Sequence, residues 1–256
     1  MSEATPTPAD TELVHLAIDG PVATITLDSP HNRNALSRRL VSDLLGHLAT
    51  VADDASVRVV QLRSSGRVFC AGADLSEAAT GSMEEGALAM VEMQRRIVAL
   101  PQPVVLRLDG PVRAGGIGLV AAADVVIAAE QADFALTEVK LGLAPAVISL
   151  TVLPRMTSRA AALTFLGGER FDAVAAVGMG LVTHALPADE VEEAVARTCA
   201  SLATGALQGL RETKTLLNAD LLARIDTLGP GMAALSARLF GSEEAKAAMT
   251  AFLSRS

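Results

Sequence analysis

The sequence predicts an α/β fold that ends in a helical region. In the first half of the chain, segments with the apolar pattern of strands are separated by segments with apolar residues at helical spacing. From Thr151 onward the spacing is helical almost throughout. We find no internal repeat and no low-complexity linker, so the pattern favours one layered α/β core with helices added at its C-terminal end.

The first half of the chain is expected to contain a strand pair, two helices and two further strands. Residues 13–28 read LVHLAIDGPVATITLD, which predicts two strands joined at an Asp-Gly-Pro turn. Leu and Val recur at helical spacing over 31–54, and VRVVQLRSSG at 57–66 predicts a strand and a loop. A second helix is predicted over 83–103, where prolines end it, and another strand over 104–112.

The remaining elements are mostly helical. Residues 113–130 predict a glycine corner, a helix of small residues and a strand, and residues 134–147 predict an extended piece and a loop. Residues 158–187 predict two helices and a short extended end. Three more helices are predicted, at 188–204, 207–218 and 242–253.

These patterns divide the chain into a flexible tail at 1–12, an α/β core at 13–190 and a C-terminal helical region at 191–256. The tail is polar and acidic and lacks the basic and apolar parts of a signal peptide. No apolar run approaches the length of a membrane span. Cys70 and Cys199 are the only cysteines and form no CxxC motif. We therefore expect a cytoplasmic protein that does not bind membranes.

Charge and composition argue against several classes of function. The formal net charge is −8 and no run of basic residues is present, so nucleic acid is not expected as a partner. The four histidines are scattered without metal-ligand spacing, and no GxSxG motif occurs. We therefore expect neither a metal site nor a Ser–His–Asp site, although a few local donors can still bind a phosphorylated small molecule.

Two corners rich in glycine and alanine, CAGAD at 70–74 and RAGGIG at 113–118, come where a predicted strand ends. One interpretation is structural: small residues form a tight corner and Asp74 caps the next helix. The other is chemical, because unshielded N–H groups aimed at one carbonyl oxygen form an oxyanion hole, and a helix N-terminus adds partial positive charge. Cys70 is expected to be a small buried residue, and Asp124 to make a structural hydrogen bond.

The second corner also matches a dinucleotide-binding fingerprint. Gly116, Gly118 and Ala121 have the G-x-G-x-x-G/A spacing, and Glu138 lies where the fingerprint has an acidic residue. However, the fingerprint usually opens the first strand–helix unit of its domain, whereas several elements come earlier here. Glu138 also does not end the following strand. Close packing of the helix of small residues against a sheet is the simpler interpretation.

Taken together, these segments resemble the crotonase superfamily, also called the enoyl-CoA hydratase/isomerase family, over nearly the whole chain after the tail. NRNALS at 32–37 is similar to the family's N-A-L segment, and the stretches at 69–75 and 110–128 are similar to its two oxyanion-hole segments. FALTEVKLGLAPA at 134–146 resembles the segment with its second catalytic glutamate, and 167–182 resembles the stretch before its C-terminal helices. The resemblance implies a crotonase-like (ClpP/crotonase) α/β fold with a stacked ββα core and a C-terminal helical trimerisation region.

The resemblance also implies the site residues. The amides of Ala73 and Gly115 would form the oxyanion hole for a thioester carbonyl. Hydratases of the family typically hold water with two glutamates, of which the second matches Glu138, whereas Gly118 stands at the position of the first. Apolar neighbours are expected to raise the pKa of the one remaining carboxyl group. Contacts to the CoA substrate are implied for Arg33, Ala71, Gly72, Asp74 and Leu75.

The implied function is hydration of a 2-enoyl-CoA, in which Glu138 both activates the water and supplies the proton. The run at 137–149 is similar to a branch that includes methylglutaconyl-CoA hydratase-like proteins, which favours hydration. Because the first glutamate is missing, an enoyl-CoA delta-isomerase and a non-catalytic CoA-thioester binder remain as alternative functions. The dinucleotide-binding fingerprint leaves a dinucleotide oxidoreductase as a third alternative. The resemblance implies a homotrimer or a dimer of trimers and no metal or redox cofactor, with CoA entering as part of the substrate.

Overall fold

The computed structural model of the chain describes residues 12–74, 76–77 and 83–253. Residues 252 and 253 are described by their backbone only. Nine strands lie in this part of the chain: β1 (Val14–Asp19), β2 (Val22–Leu27), β3 (Val59–Ser64), β4 (Val104–Leu108), β5 (Val112–Arg113), β6 (Val125–Ala129), β7 (Asp133–Ala135), β8 (Arg170–Asp172) and β9 (His184–Leu186). Its α-helices are α1 (Arg38–Asp53), α2 (Met83–Ala99), α3 (Gly115–Ala122), α4 (Ser149–Arg155), α5 (Ser158–Gly167), α6 (Ala173–Met179), α7 (Ala188–Ala203), α8 (Leu207–Phe240) and α9 (Glu243–Leu253).

The strands form two sheets, in line with the α/β fold expected from the sequence. The larger sheet has six strands in the order β1-β2-β3-β4-β6-β9. Only β1 and β2 are antiparallel, as the hairpin pattern predicts, and the other neighbours are parallel. The smaller sheet has the order β5-β7-β8, in which β5 and β7 are parallel. The parallel pairs require crossover connections, and helices supply most of them.

Helices cover both faces of the larger sheet. Successive side chains of a strand point to opposite faces, so the strands supply two separate apolar clusters. Val59, Val105 and Ile127 pack on one face against α7. The adjacent residues of the same strands belong to the main core on the other face, together with apolar residues of α1, α2 and α3. The core is therefore layered, with α7 on one side and the helices next to the smaller sheet on the other.

The smaller sheet sets the position of α3. In the register of β5 and β7, Arg113 pairs with Ala135, and the amide of Ala114 then donates to the carbonyl of Ala135 at 3.0 Å. Helix α3 begins one residue later at Gly115, and all eight of its residues are buried. The start of α3 is therefore fixed to the end of β7, which leads into the segment with Glu138.

Three local expectations from the sequence are corrected. Asp74 does not cap α2, which begins at Met83; its carboxylate instead accepts from the amide and hydroxyl of Ser76 and closes a turn. The short strand β8 lies where the pattern is helical, because it pairs with β7. Helix α8 does not end near residue 218 but spans 34 residues in total, from Leu207 through Pro230 to Phe240. No helix in the described part of the chain is long and apolar enough to cross a membrane.

A buried polar network joins α8 to the far end of α3. The ammonium group of Lys214 is 2.8 Å from Asp124 Oδ2 and donates to the carbonyls of Ile97 and Gln102 at 3.0 Å. Asn218 Nδ2 donates to Asp124 Oδ1 at 3.0 Å. Burial lowers the pKa of Lys214, and the nearby carboxylate of Asp124 opposes that shift. The structural hydrogen bond expected of Asp124 is thus part of a larger cluster that fixes α3 to α8.

We expect Lys214→Met to lower the free energy of unfolding by about 3–5 kcal/mol, because it leaves the carboxylate of Asp124 without its cation. Denaturant titration measures the change. Lys246→Met is the control, since Lys246 forms an exposed pair with Glu243 and its loss should change stability little. A loss of less than about 1 kcal/mol in the first variant would contradict a structural role for the network.

Candidate active site

The loop before α1 is held against the first glycine corner by a buried asparagine. Arg33 and Asn34 have φ values of 59° and 54°, a left-handed conformation that asparagine tolerates better than most residues. Asn34 Oδ1 accepts from the amide of Ser29 at 2.6 Å, and Asn34 Nδ2 donates to the carbonyl of Val68 at 3.0 Å. The amide of Ala71 then donates to the carbonyl of Arg33 at 3.0 Å. The N-R-N-A-L segment therefore positions the corner that carries Ala73.

The two glycine corners meet backbone to backbone. A Cβ on Gly72, whose φ is 93°, would lie 2.9 Å from the Cβ of Ala114 and 3.5 Å from the amide nitrogen of Gly115. A Cβ on Gly115 would lie 3.6 Å from the amide nitrogen of Ala73. The structure therefore brings the amides of Ala73 and Gly115 together, and side chains at Gly72 and Gly115 would intrude between the corners.

Neither of these two amides is used in the backbone hydrogen bonding around the corners. Within the described residues, neither the amide of Ala73 nor that of Gly115 has a hydrogen-bond acceptor assigned to it. Gly115 is the first residue of α3, so the partial positive charge of the helix N-terminus lies behind its amide. Ala114 precedes it with φ 45° and ψ −120°, a strained conformation for alanine of the kind that is concentrated at functional sites. This strain sets the direction in which α3 starts and so orients the amide of Gly115.

Glu138 lies in a 3-10 turn, Thr137–Leu141, that begins two residues after β7. Its Oε2 atom is buried and has no hydrogen-bond partner among the described residues. Burial raises the pKa of this carboxyl group to about 7. The ammonium group of Lys140, two residues further along the chain, pairs with Glu169 at 2.8 Å. The carboxyl group can therefore gain and lose a proton near neutral pH.

The 3-10 turn is fixed at its C-terminal end. The amide of Leu143 donates to the carbonyl of Glu138 at 2.9 Å, and Gly142 follows the turn with a φ of 68°. A Cβ on Gly142 would lie 3.3 Å from the backbone nitrogen of Ala245, which is fully buried in α9. The C-terminal helix thus packs directly on the turn that carries Glu138.

The glycines of the fingerprint serve close packing. A Cβ on Gly116 would lie 2.7 Å from the Cβ of Cys70, and one on Gly118 would lie 2.7 Å from Ile148 Cγ2 and 3.1 Å from Gln94 Oε1. The space in front of position 118 is therefore filled by side chains of α2 and of the segment before α4. These contacts support close packing of the helix of small residues, rather than dinucleotide binding, as the reason for its glycines.

The other residues predicted from the sequence lie around the first corner. Arg33 has an exposed side chain, and Ala71 and Gly72 are bound through their backbones to the loop before α1. Asp74 accepts from Asn32 Nδ2 at 3.1 Å as well as from Ser76. Cys70 is fully buried and its pKa is raised to about 12, in agreement with a packing role. Leu75 lies outside the described residues.

Three further residues of the site did not emerge from the sequence. Met90 Cε lies 2.6 Å from the position that a Cβ on Gly115 would take. Gln94 is fully buried, and its Oε1 accepts from Thr151 Oγ1 at 2.6 Å. Ile148 reaches Gly118 from 30 positions along the chain. In the sequence, Met90 and Gln94 belong to the apolar face of a predicted helix. The one feature that could have indicated a role in the site is that Gln94 is polar within that face.

The raised pKa of Glu138 predicts a pH-dependent cost to stability. The folded chain binds the proton more tightly than the unfolded chain, so the cost appears as pH rises above 4.5 and is complete above pH 7. Glu138→Gln should therefore raise the free energy of unfolding by about 2–4 kcal/mol at pH 8 and change it little at pH 4. Denaturant titrations at the two pH values measure this. Glu169→Gln, which changes an exposed carboxyl group, is the control and should not raise the free energy of unfolding. If Glu138→Gln did not raise the free energy of unfolding at pH 8, the result would contradict the burial of the Glu138 charge.

The chain is similar to known proteins over most of its length. A family model described as enoyl-CoA hydratase/isomerase matches residues 17–256. A Bacillus subtilis protein named "Probable enoyl-CoA hydratase" is 32% identical over 94% of this chain and 96% of its own. A human protein named "Enoyl-CoA hydratase domain-containing protein 2, mitochondrial" is 35% identical over 73% of this chain and 67% of its own. The crystal structure of an enoyl-CoA hydratase from Mycobacterium avium is 45% identical, with a TM-score of 0.89 and coverage of 96% of this chain and 97% of that one. The chain therefore belongs to the enoyl-CoA hydratase/isomerase family and has the crotonase fold.

Proposed function

We propose that this protein adds water to a 2-enoyl-CoA thioester with Glu138 as its only catalytic carboxyl group. The observation that carries the proposal is the buried, unpartnered Oε2 atom of Glu138, whose carboxyl pKa of about 7 suits proton transfer in both directions. The adjacent amides of Ala73 and Gly115 support it, because they offer two donors to one carbonyl oxygen. The relatives named as hydratases support the same reaction.

In the proposed reaction, the thioester carbonyl accepts hydrogen bonds from the amides of Ala73 and Gly115. These bonds stabilise the negative charge that moves onto the oxygen when the hydroxyl group of water forms its bond to C3. The Glu138 carboxylate takes the second proton of that water and then delivers a proton to C2 as the enolate collapses. Water is consumed, the C2–C3 double bond becomes a single bond, and Glu138 ends in its starting charge state. Loss of one amide donor would cost a factor of roughly 10²–10³ in rate.

The residues around the first corner are proposed to hold the CoA part of the substrate. Arg33, whose carbonyl binds the amide of Ala71, has an exposed side chain, and its guanidinium is a group suited to a phosphate. Ala71, Gly72 and Asp74 would line the pantetheine arm through their backbone, and Leu75 is proposed for the same role from the sequence alone. CoA would enter with the substrate, without a metal or redox cofactor.

The proposed assembly is a trimer or a dimer of trimers, in the cytoplasm. Support comes from large apolar side chains that this chain leaves exposed, among them Leu163 and Leu166 of α5 at 70% and 77% and Leu216 and Leu217 of α8 at 80% and 75%. Apolar surface of this kind commonly marks a protein interface.

Double-bond isomerisation is the second candidate, and the packing at position 118 favours it. With Ile148 and Gln94 in front of Gly118, no side chain there can provide a second carboxyl group. One carboxylate is sufficient to remove a proton from one carbon of an enoyl-CoA and return it to another. In hydration Glu138 would take a proton from water, whereas in isomerisation it would take a proton from a carbon atom of the substrate.

The deciding experiment is a mass spectrum of a short trans-2-enoyl-CoA after incubation with the native protein and with Glu138→Gln. We expect the gain of one water with the native protein only, while the variant still binds the thioester. Turnover that is unchanged in Glu138→Gln would contradict the assignment. No gain with the native protein would favour isomerisation, which a shift of the double bond of trans-3-enoyl-CoA would reveal. Binding without either reaction would indicate a non-catalytic binder.

We expect Gly118→Ala to lower the free energy of unfolding by about 1–3 kcal/mol, because its Cβ would overlap the buried side chain of Ile148. Combined with Ile148→Ala, the loss should be smaller than the sum of the two single losses, because the overlap is then relieved. Gly46→Ala on α1 is the control: its Cβ meets nothing within 4 Å, so it should not destabilise the fold. Additive losses at positions 118 and 148 would contradict the packing described here.

A further inference from the structure

A pocket at the C-terminal end of α3 has no part in the mechanism above. It has a volume of about 200 Å³. Its walls are formed by the end of α3, the start of β6, the last residue of α4 and the segment 180–183 that leads into β9. Because α3 begins at Gly115, the length of this helix, about 10 Å, separates the pocket from the paired amides.

The pocket contains a guanidinium group whose assigned acceptors are both neutral. Arg155, the last residue of α4, lines the pocket and is half-buried. Its Nε donates to the carbonyl of Ala121 at 3.2 Å, and its Nη2 donates to Asn218 Oδ1 at 3.1 Å. In the described part of the chain, no acceptor is assigned to Nη1. A guanidinium has five N–H donors, so Arg155 retains donors for an occupant of the pocket.

Positive charge is in excess at this pocket. Asp124 is the one acidic residue among the described residues that line it, and its Oδ2 atom already lies 2.8 Å from the ammonium group of Lys214. Burial lowers the pKa of Lys214, and the positive charge of Arg155 acts in the same direction. Two cations therefore share one carboxylate, and a bound anion would supply the missing negative charge.

A hydroxyl group adds a further donor to the pocket. The exposed residue Thr183 lines the pocket, and its Oγ1 accepts from the amide of Val126 at 3.0 Å. Among the described residues, no acceptor is assigned to the hydrogen of this hydroxyl group. Thr183 and Arg155 thus offer hydrogen-bond donors to the same space.

We propose that this pocket binds a phosphate group, with Arg155 Nη1 and the hydroxyl group of Thr183 as its donors. A phosphate group suits this donor set better than a carboxylate, because it has at least three acceptor oxygens and a charge of about −2. The planar guanidinium matches two of these oxygens, which leaves another for the hydroxyl group. Inorganic phosphate and a small phosphate ester carry the same oxygens. The inference does not depend on the proposed hydration.

Two variants change the pocket in different ways. Arg155→Gln removes the guanidinium, and it also removes two structural hydrogen bonds. Thr183→Glu leaves those bonds in place and adds a carboxylate that repels an anion, while a carboxylate oxygen can still accept from the amide of Val126. Arg159→Gln is the matched control, because Arg159 is an exposed arginine of α5 that does not line the pocket. Arg33→Gln tests the phosphate contact proposed for CoA.

The experiment is isothermal titration of inorganic phosphate and of glycerol 3-phosphate into the native protein and the four variants. It is carried out at pH 8 and constant ionic strength, so that general screening of charge does not change between samples. We expect the native protein to bind at least one of the two compounds. Arg155→Gln and Thr183→Glu should each weaken this binding about ten-fold or more, whereas Arg159→Gln and Arg33→Gln should change it less than about two-fold.

The results also identify the form of the phosphate group. Tighter binding of glycerol 3-phosphate would assign the pocket to a phosphate ester, and tighter binding of inorganic phosphate would assign it to the free ion. The absence of binding to the native protein would overturn the inference. So would binding that Thr183→Glu leaves unchanged, or that Arg33→Gln alone weakens. If Arg155→Gln does not fold, Thr183→Glu decides the question. No turnover enters these measurements, so a failure of the proposed hydration would leave the inference standing.

Discussion

The contact between the two glycine corners is the constraint on which the rest of the site depends. The backbone at Gly72 comes so close to Ala114 that a side chain at Gly72 would overlap it. This approach brings the amides of Ala73 and Gly115 side by side and requires the strained conformation of Ala114. The strain persists because the smaller sheet holds Ala114 through Ala135 and because the buried helix α3 cannot shift.

The helix α3 is fixed at both ends by different means. At its start the fixation is backbone to backbone, from β5 and β7. At its far end, Arg155 Nε donates to the carbonyl of Ala121 at 3.2 Å, and Asp124 binds the buried cation of Lys214. Between these ends, Gly118 allows Ile148 and Gln94 to pack against the helix axis. The same small residues that permit this packing place no carboxyl group at position 118.

The fold was predictable to the extent that it depends on local patterns. The hairpin of β1 and β2 lies where the residue spacing indicates, and helix α1 lies within the predicted range 31–54 but begins only at Arg38. The length of α8 was not predictable, because Gly229 and Pro230 are local signals to end a helix. Gly229 serves close packing instead, since a Cβ there would lie only 2.8 Å from Val91 Cγ1 of α2, and the helix continues through Pro230.

The site was predictable in part for the same reason. The spacing within each corner indicates where unshielded amides occur, and the family resemblance pairs the two corners. Contacts between distant segments, such as Ile148 against Gly118 or Met90 beside Gly115, depend on tertiary packing that no local pattern encodes. The pKa of Glu138 likewise depends on the burial of one oxygen atom without a partner, which residue type alone does not reveal.

The central claim is that the paired amides of Ala73 and Gly115 polarise a thioester carbonyl. The most direct test is the infrared stretching frequency of that carbonyl, isolated by carbon-13 labelling, in an enoyl-CoA bound to Glu138→Gln so that turnover does not interfere. Two fixed donors in a site that excludes water should lower the frequency below its value for the same thioester in water. A frequency equal to or above the value in water would contradict the account.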